Sequence, residues 1–151
     1  KLASLCQFSL QGAPVVYYGT EVGLSQQRDV RQGTKGIPEE SRQPMLWGES
    51  QNQELHNYYQ NLCDARKEFD CLRKGRRETV FVDDHIIVYR RISEKNQALI
   101  ILNIGASKKT YHSQGNMPQI VVKTGEVNLV QNRNHYVVNM EGRSGVILVI
   151  D

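Results

Sequence analysis

Long apolar runs, paired cysteines and a strong net charge are all missing from this chain, and each absence narrows what the protein can be. Its 151 residues contain no apolar run approaching the roughly 18 residues that a membrane-spanning helix requires, so we expect no membrane partner. Its cysteines, an odd number in a chain long enough to bury a core, do not suit a disulfide scaffold, and we expect Cys6, Cys63 and Cys71 to be free thiols. The net charge of +3 is too small to indicate a nucleic acid partner by itself.

The spacings that metal sites and catalytic groups need are also absent. The histidines at positions 56, 85, 112 and 135 form no His-x-x-x-His pair, so we expect no metal, no cofactor and no histidine-based nucleophile in this chain. The pairs Glu39–Glu40 and Asp83–Asp84 are not expected to be catalytic, because neighbours in sequence rarely face each other across a substrate. Cys63 and Cys71 lie about two helical turns apart and are expected to serve packing.

The first residues do not look like the start of a complete protein. The chain opens with Lys1-Leu2-Ala3 and has no initiator methionine, no charged leader and no cleavage-site pattern. We therefore expect a piece of a longer protein whose localisation the sequence leaves unknown, although the free, odd cysteine favours the cytoplasm.

The opening of the chain predicts a helix followed by a buried strand. Residues 2–10 place Leu2 and Leu5 on one helical face, and Gly12 stands where a helix C-terminus belongs. The apolar run at residues 13–19 has the valine and tyrosine content of a strand buried on both faces, as in a parallel sheet.

A long polar loop and a second helix come next. Residues 23–44 are rich in residues that break helices and strands, and loops of that length in compact domains tend to be functional or disordered. Ser50 and Gln53 form a capping-box pattern, and apolar residues recur at helical spacing as far as Leu72. Gly75, within a basic cluster, suits the helix C-terminus.

The remainder of the chain predicts an antiparallel β-sandwich. Short β-branched or aromatic runs alternate with turn residues there. The predicted strands are 79–82, 85–92, 97–104, 109–112, 119–122, 126–130, 135–140 and 144–150. We therefore expect an α+β chain with a helix–strand–loop–helix part at residues 1–75 and an all-β domain at residues 76–151.

One segment combines groups that a sugar-binding cleft uses. The predicted buried strand ends in Tyr17 and Tyr18, and the loop that follows contains Asp29 and Arg42. In parallel sheets and barrels, ligands bind in the loops at the carboxyl ends of strands. Tyrosines supply stacking faces and hydroxyls, while Asp and Arg supply acceptors and donors, so these four residues are the candidate substrate-binding set.

The same region resembles the α-amylase family of glycoside hydrolases. Gly12-Ala-Pro-Val-Val-Tyr-Tyr-Gly-Thr-Glu-Val-Gly23 is similar to the segment on that family's eighth barrel strand, and Ser41-Arg-Gln-Pro-Met-Leu-Trp47 to the segment that ends the following loop. Residues 54–68 resemble the last barrel helix, and residues 98–103 resemble a strand of the small C-terminal β-sandwich that follows it. The resemblance thus implies the end of a (β/α)8 barrel followed by a sandwich domain.

The resemblance implies a retaining glycosidase or transglycosidase acting on α-glucans. The family's nucleophile, its acid–base glutamate and a third, assisting aspartate sit on earlier barrel strands, whose motifs are absent here. We therefore expect an active parent protein, an inactive fragment with no catalytic residue, and a calcium site only in a missing domain. The particular glucan, and the choice between hydrolysis and transfer, depend mainly on missing loops.

Arg42 departs from the family pattern. In several members the matching arginine works with an aspartate four residues earlier to hold sugar hydroxyls, but Pro38 occupies that position here. Asp29, Glu39 or Glu40 could supply the carboxylate across a longer loop.

Two other roles are open for the β-rich half. It could be a non-catalytic structural or glucan-binding module, but Tyr89, Tyr111 and Tyr136 are its only large stacking rings, so a structural role is favoured. Nucleic acid binding through residues 73–77 with Arg90 and Arg91 is the least favoured alternative.

A single barrel strand leaves an apolar surface uncovered. One strand and two helices cannot close a barrel, so the run at residues 15–18 would keep open edges and bare faces. We therefore expect the isolated chain to self-associate through this surface.

Overall fold

The computed structural model of the chain describes residues 1–26 and 41–150. It contains two compact units, one formed by Lys1–Pro14 with Asn61–Asp151 and the other by Val15–Gln60. The sequence-based boundary at residue 75 concerns the domains of a larger protein and stays a prediction.

Within the described residues, the helices are α1 (Leu2–Ser9), α2 (Gln53–Glu68) and α3 (Asp70–Arg73), with short 3-10 helices at Thr20–Val22 and Gly48–Ser50. The strands are β1 (Arg76–Val82), β2 (Ile86–Ile92), β3 (Gln97–Asn103), β4 (Lys109–Gln114), β5 (Gln119–Thr124), β6 (Val127–Asn132), β7 (His135–Met140) and β8 (Ser144–Ile150). Each of the eight strands predicted for residues 76–151 is present, with ends that differ by a few residues.

The strands form an antiparallel sandwich, as predicted. One sheet has the order β1-β2-β3-β8-β5 and the other the order β4-β7-β6. All neighbouring strands are antiparallel. The core between the sheets is built from alternate residues of both sheets, such as Val88, Leu99 and Val146 from the first and Val138 and Met140 from the second.

The central strands β3 and β8 of the larger sheet are buried on both faces, whereas β1 at its edge is exposed. Leu99 and Ile101 of β3 lie in the sandwich core, while the alternate residues Ile100 and Leu102 are also at most 1% exposed. That second face is covered by α1 and α3, which pack on the sheet. An added Cβ at Gly145 of β8 would lie 2.8 Å from Leu2 of α1, so glycine allows the helix to approach the sheet this closely. Burial on both faces explains why the β3 sequence is almost continuously apolar.

Two arginines hold the C-terminal end of α1. Arg91 of β2 is fully buried and donates to the Ser9 carbonyl at 2.7 Å and to the Gly75 carbonyl at 2.8 and 3.1 Å. Arg66 of α2 donates to the carbonyls of Phe8, Leu10 and Gly12 at 2.6 to 3.2 Å. The carbonyls at a helix C-terminus lack intrahelical donors and carry partial negative charge, so cations stabilise them. Burial, followed by the charge of Arg66, lowers the pKa of Arg91.

A tyrosine fixes the same helix end from the sheet. The hydroxyls of Tyr89 and Ser9 lie 2.6 Å apart and are hydrogen-bonded, and the guanidinium carbon of Arg77 stands 4.7 Å from the centre of the Tyr89 ring. Burial raises the pKa of Tyr89 to about 12. The last residue of α1 is therefore held through both its side chain and its carbonyl.

The predicted barrel strand does not form. Residues 13–17 have no regular secondary structure, and Val15 and Tyr17 are 80% and 56% exposed. A strand needs a hydrogen-bonded neighbour, and the strands that the structure describes all pair with one another in the sandwich. The expected burial on both faces is therefore wrong for this chain.

Other local predictions need correction. The side chain that caps α2 is Asn52, whose Oδ1 accepts from the Leu55 amide at 2.9 Å, and Ser50 belongs to a 3-10 helix instead. The cysteines are free, as expected, but Cys71 is buried whereas Cys63 is exposed. The packing role is therefore confirmed for Cys71 and wrong for Cys63.

Replacing Arg91 tests the arginine contacts at α1. We expect Arg91→Met to lower the free energy of unfolding by roughly 2–5 kcal/mol, because it leaves two buried carbonyl oxygens without donors. Urea unfolding measures this change. The neighbouring Arg90 is exposed, so Arg90→Met should change the unfolding free energy by less than about 0.5 kcal/mol. Equal effects of the two variants would contradict the conclusion that the hydrogen bonds of Arg91 stabilise the fold.

Two buried tyrosines allow a direct comparison of a hydrogen-bonded hydroxyl with an unpaired one. Within the described residues, the Tyr136 hydroxyl is buried and has no hydrogen-bond partner, whereas the Tyr89 hydroxyl is paired with Ser9. We expect Tyr89→Phe to destabilise the fold by about 1 kcal/mol and Tyr136→Phe to be neutral or stabilising, because an unpaired buried hydroxyl costs free energy. Thermal and urea unfolding of both variants measure the difference.

The pH dependence of stability distinguishes Tyr89 further. Its folded-state pKa of about 12 lies above the unfolded value of about 10, so its contribution is complete below pH 10 and is lost as the pH rises towards 12. In Tyr89→Phe this part of the alkaline loss should disappear. If the unfolding free energy of this variant fell with alkaline pH as steeply as that of the unmodified chain, the loss would not come from Tyr89.

Candidate functional site

The two candidate tyrosines hold the backbone on either side of Arg42. The Tyr18 hydroxyl donates to the Gln43 carbonyl at 2.9 Å, and the Tyr17 hydroxyl donates to the Ser41 carbonyl at 3.3 Å. Their ring centroids lie 4.8 Å apart with the planes tilted by 46°. The structure therefore brings three of the four predicted site residues together, with Arg42 between the two carbonyls that the tyrosines bind.

A tight glycine turn directs the chain out of this segment. Gly19 has a φ of +82°, and an added Cβ there would lie 2.5 Å from the Leu24 side chain. The Leu24 amide donates back to the Gly19 carbonyl at 2.8 Å, which closes the turn around Thr20–Val22. A positive φ and this close approach both require glycine, so the glycine in the motif has a structural explanation.

The space beside the tyrosines is small. A cavity of about 70 Å³ is lined by both rings, by Leu24 and by Gln43, among others. Sites that enclose a small molecule are usually several times larger, at roughly 300–1,000 Å³. The segment thus offers one wall of a binding site, with exposed rings and an exposed guanidinium.

Electrostatics around Tyr18 favour its neutral form. Desolvation raises the pKa of the Tyr18 hydroxyl, the adjacent Tyr17 adds to the effect, and the positive charge of Arg42 opposes it. The hydroxyl therefore stays protonated at neutral pH and serves as a hydrogen-bond donor.

The structure describes only some of the carboxylates that the sequence offered as candidates. Asp29, Glu39 and Glu40 lie outside the described residues, so the predicted pairing of Arg42 with a carboxylate stays a prediction. Asp83 accepts hydrogen bonds from the amides of His85 and Ile86 at 2.7 and 2.6 Å, and these bonds lower its pKa. Asp83 is therefore a turn residue, as its hairpin position indicated.

The described part of the chain contains no cluster of His, Cys, Asp and Glu side chains that could hold a metal ion. Across residues 1–26 and 41–150, no helix has the length and apolar character needed to cross a bilayer.

The structure also tests the alternative roles of the sandwich. Tyr89 and Tyr136 are each 1% exposed, and Tyr111 packs against the core, so none of the three contributes to an exposed stacking row. Arg91 is buried among carbonyl oxygens and is not available to a phosphate. No sequence pattern pointed to the roles of Arg66 and Arg91, because their acceptors are backbone atoms distant in sequence.

Comparison with known proteins gives consistent matches. No family model matches the chain. It is 32% identical over 116 residues to alpha-amylase 2 of Dictyoglomus thermophilum, which covers 76% of this chain and 20% of that protein. It is 33% identical over 106 residues to the cyclomaltodextrinase of Geobacillus thermopakistaniensis, and the match covers 68% of this chain and 16% of that protein. Among solved structures, the debranching enzyme from Nostoc punctiforme matches with a TM-score of 0.69 and 25% identity, covering 98% of this chain and 30% of that one.

The fold and these matches define the class of protein, in which a catalytic barrel is followed by a small antiparallel sandwich. The chain belongs to the α-amylase family and corresponds to the C-terminal region of its fold. It spans about a fifth or less of the length of alpha-amylase 2 and of the cyclomaltodextrinase.

Proposed function

We propose that this chain is the C-terminal part of a retaining glycoside hydrolase or transglycosidase that acts on α-glucans. The observation that carries the proposal is the match of most of the chain to proteins named alpha-amylase and cyclomaltodextrinase. The structural neighbour from Nostoc punctiforme is named a debranching enzyme and was also studied after soaking with acarbose. The catalytic carboxylates of such an enzyme belong to barrel strands outside this chain.

In this proposal Tyr17, Tyr18 and Arg42 form part of the floor of the substrate cleft. The tyrosine hydroxyls are bonded to the carbonyls that flank Arg42, so they set the position of its backbone. An exposed guanidinium offers a fork of donors to sugar hydroxyls, and exposed tyrosine rings offer faces to sugar rings. These residues orient the glucan, and the missing carboxylates perform the reaction.

In this proposal the sandwich is a structural domain that contributes no group to the reaction. The central strands of its large sheet are buried on both faces, and most of its buried side chains are apolar. The enzymatic role of the whole protein therefore depends on the part of the fold that precedes the sandwich.

Maltoheptaose hydrolysis tests the proposal. We expect the full-length protein that contains this chain to release reducing ends, and the 151-residue chain alone to release none. In the full-length protein, Tyr18→Phe should lower kcat/KM by roughly threefold to tenfold, because it removes one hydrogen bond that positions the Arg42 backbone. Tyr111→Phe in the sandwich makes the same chemical change away from the cleft and should leave kcat/KM unchanged.

Activity of the chain alone would contradict the proposal, because it would place catalytic groups within residues 1–151. An inactive full-length protein with intact carboxylates would contradict it as well and would favour a non-catalytic role.

The exposed apolar residues of the Val15–Gln60 unit lead to a proposal about association. Val15 is 80% exposed, Trp47 75% and Tyr17 56%, which is unusual for large apolar side chains. We expect the isolated chain to self-associate as its concentration rises, and sedimentation velocity measures this. Val15→Ser with Trp47→Ser should reduce association, whereas Val130→Ser in the sandwich should not. A strictly monomeric chain at high concentration would contradict the proposal.

A further inference from the structure

The outer face of the three-stranded sheet has no charged side chain. Residues that face each other across the β4–β7 and β6–β7 pairs place the alternate positions 110–114, 128–132 and 135–139 on this side. None of these nine positions carries Asp, Glu, Lys or Arg, although 23% of the chain is charged. An exposed sheet face usually carries charged residues, which keep it solvated. We call this surface the neutral face.

Amides and imidazoles dominate the neutral face. Five of its positions are Asn or His, namely His112, Asn128, Asn132, His135 and Asn139. Asparagine is disfavoured in strands, so three of them on one face are not explained by strand formation. Residues that oppose the local structural preference often serve a function.

The shape of the neutral face suits an elongated ligand. A hollow of about 590 Å³ at one end is lined by His112, Gln114 and His135, among others. A second hollow of about 490 Å³ at the other end is lined by Asn128 and Asn139 but also by the charged residues Lys108, Glu126 and Glu141, so the neutral face ends there. The row between them is Val130 and Val137, and Val130 is 45% exposed. The distance from residue 135 to residue 139 along a strand is about 14 Å.

We infer that the neutral face binds a neutral oligosaccharide that lies along the strands, from the hollow at His112 and His135 over the central valines. Amide and imidazole groups both donate and accept hydrogen bonds, as sugar hydroxyls do, and the central valines offer an apolar patch to the carbon face of a sugar ring. A face without charges loses no ionic solvation when such a ligand covers it. The choice of an α-glucan as the oligosaccharide rests on the proposed function.

This surface differs from a stacking platform. Tyr111 and Tyr136 pack in the sandwich core and Tyr89 points to α1, so recognition depends on hydrogen bonds along the face. Without aromatic stacking we expect weak binding, roughly in the millimolar range.

Titration with maltoheptaose, followed by backbone amide chemical shifts of the 151-residue chain, tests the inference. We expect shifts at residues of β4, β6 and β7, at concentrations where sedimentation shows a single species. Val130→Lys places a charged side chain on the central row and should weaken binding at least fivefold. Ile120→Lys on the other sheet is the matched control, because Ile120 is similarly exposed at 39%, and it should leave binding unchanged.

The double variant His112→Ala with His135→Ala keeps the two central valines and should weaken binding by a similar factor. Amide spectra and thermal unfolding of each variant show that the fold is kept. Binding that neither set of substitutions weakens would overturn the inference.

The outcomes separate this inference from the proposed function. Shifts confined to residues 17–26 and 41–47 would overturn the neutral face as a binding site and support the proposed cleft. Shifts on the neutral face in a chain whose full-length protein is inactive would support the inference and contradict the proposed function. Shifts that follow protein concentration instead of sugar would overturn the inference, because a second copy of the chain would then cover the face.

Discussion

The fold depends on two guanidinium groups that bind the end of one short helix. Arg66 and Arg91 together donate to the carbonyls of residues 8, 9, 10 and 12, and Arg91 also binds the carbonyl of Gly75 after α3. A helix as short as α1 has marginal stability alone, so tertiary contacts must hold it. Lysine could not replace Arg91, because its compact ammonium lacks the planar fork that reaches two separate carbonyls.

Once α1 is fixed, the central strands of the larger sheet can be buried on both faces. The sandwich core covers one face, and α1 with α3 covers the other. This arrangement requires glycine at position 145, where α1 approaches β8, and at position 75, where an added Cβ would lie 2.4 Å from the Cys71 carbonyl oxygen. Tyr89 points to α1, whereas Tyr111 and Tyr136 pack in the sandwich core, so the outer face of the smaller sheet carries amides and imidazoles but no tyrosine.

The segment that resembles a barrel strand forms no strand here, yet its tyrosines still make specific hydrogen bonds. Residues 13–17 match a barrel strand in sequence but have no strand partners in the described structure. Their tyrosines nevertheless bind the backbone around Arg42 through contacts within the same unit. The local geometry of this segment depends on a glycine turn and two hydroxyl–carbonyl bonds.

The sequence by itself determined the eight strands, the sandwich and the family, because alternating apolar residues, turn residues and specific motifs are local signals. It also brought Tyr17, Tyr18 and Arg42 into one hypothesis. Only the tertiary structure decided that residues 13–17 stay unpaired, that Arg91 is a buried ligand of carbonyls and that one sheet face is free of charge. Those features depend on backbone partners distant in sequence and on which strands are neighbours, and neither is encoded in local periodicity.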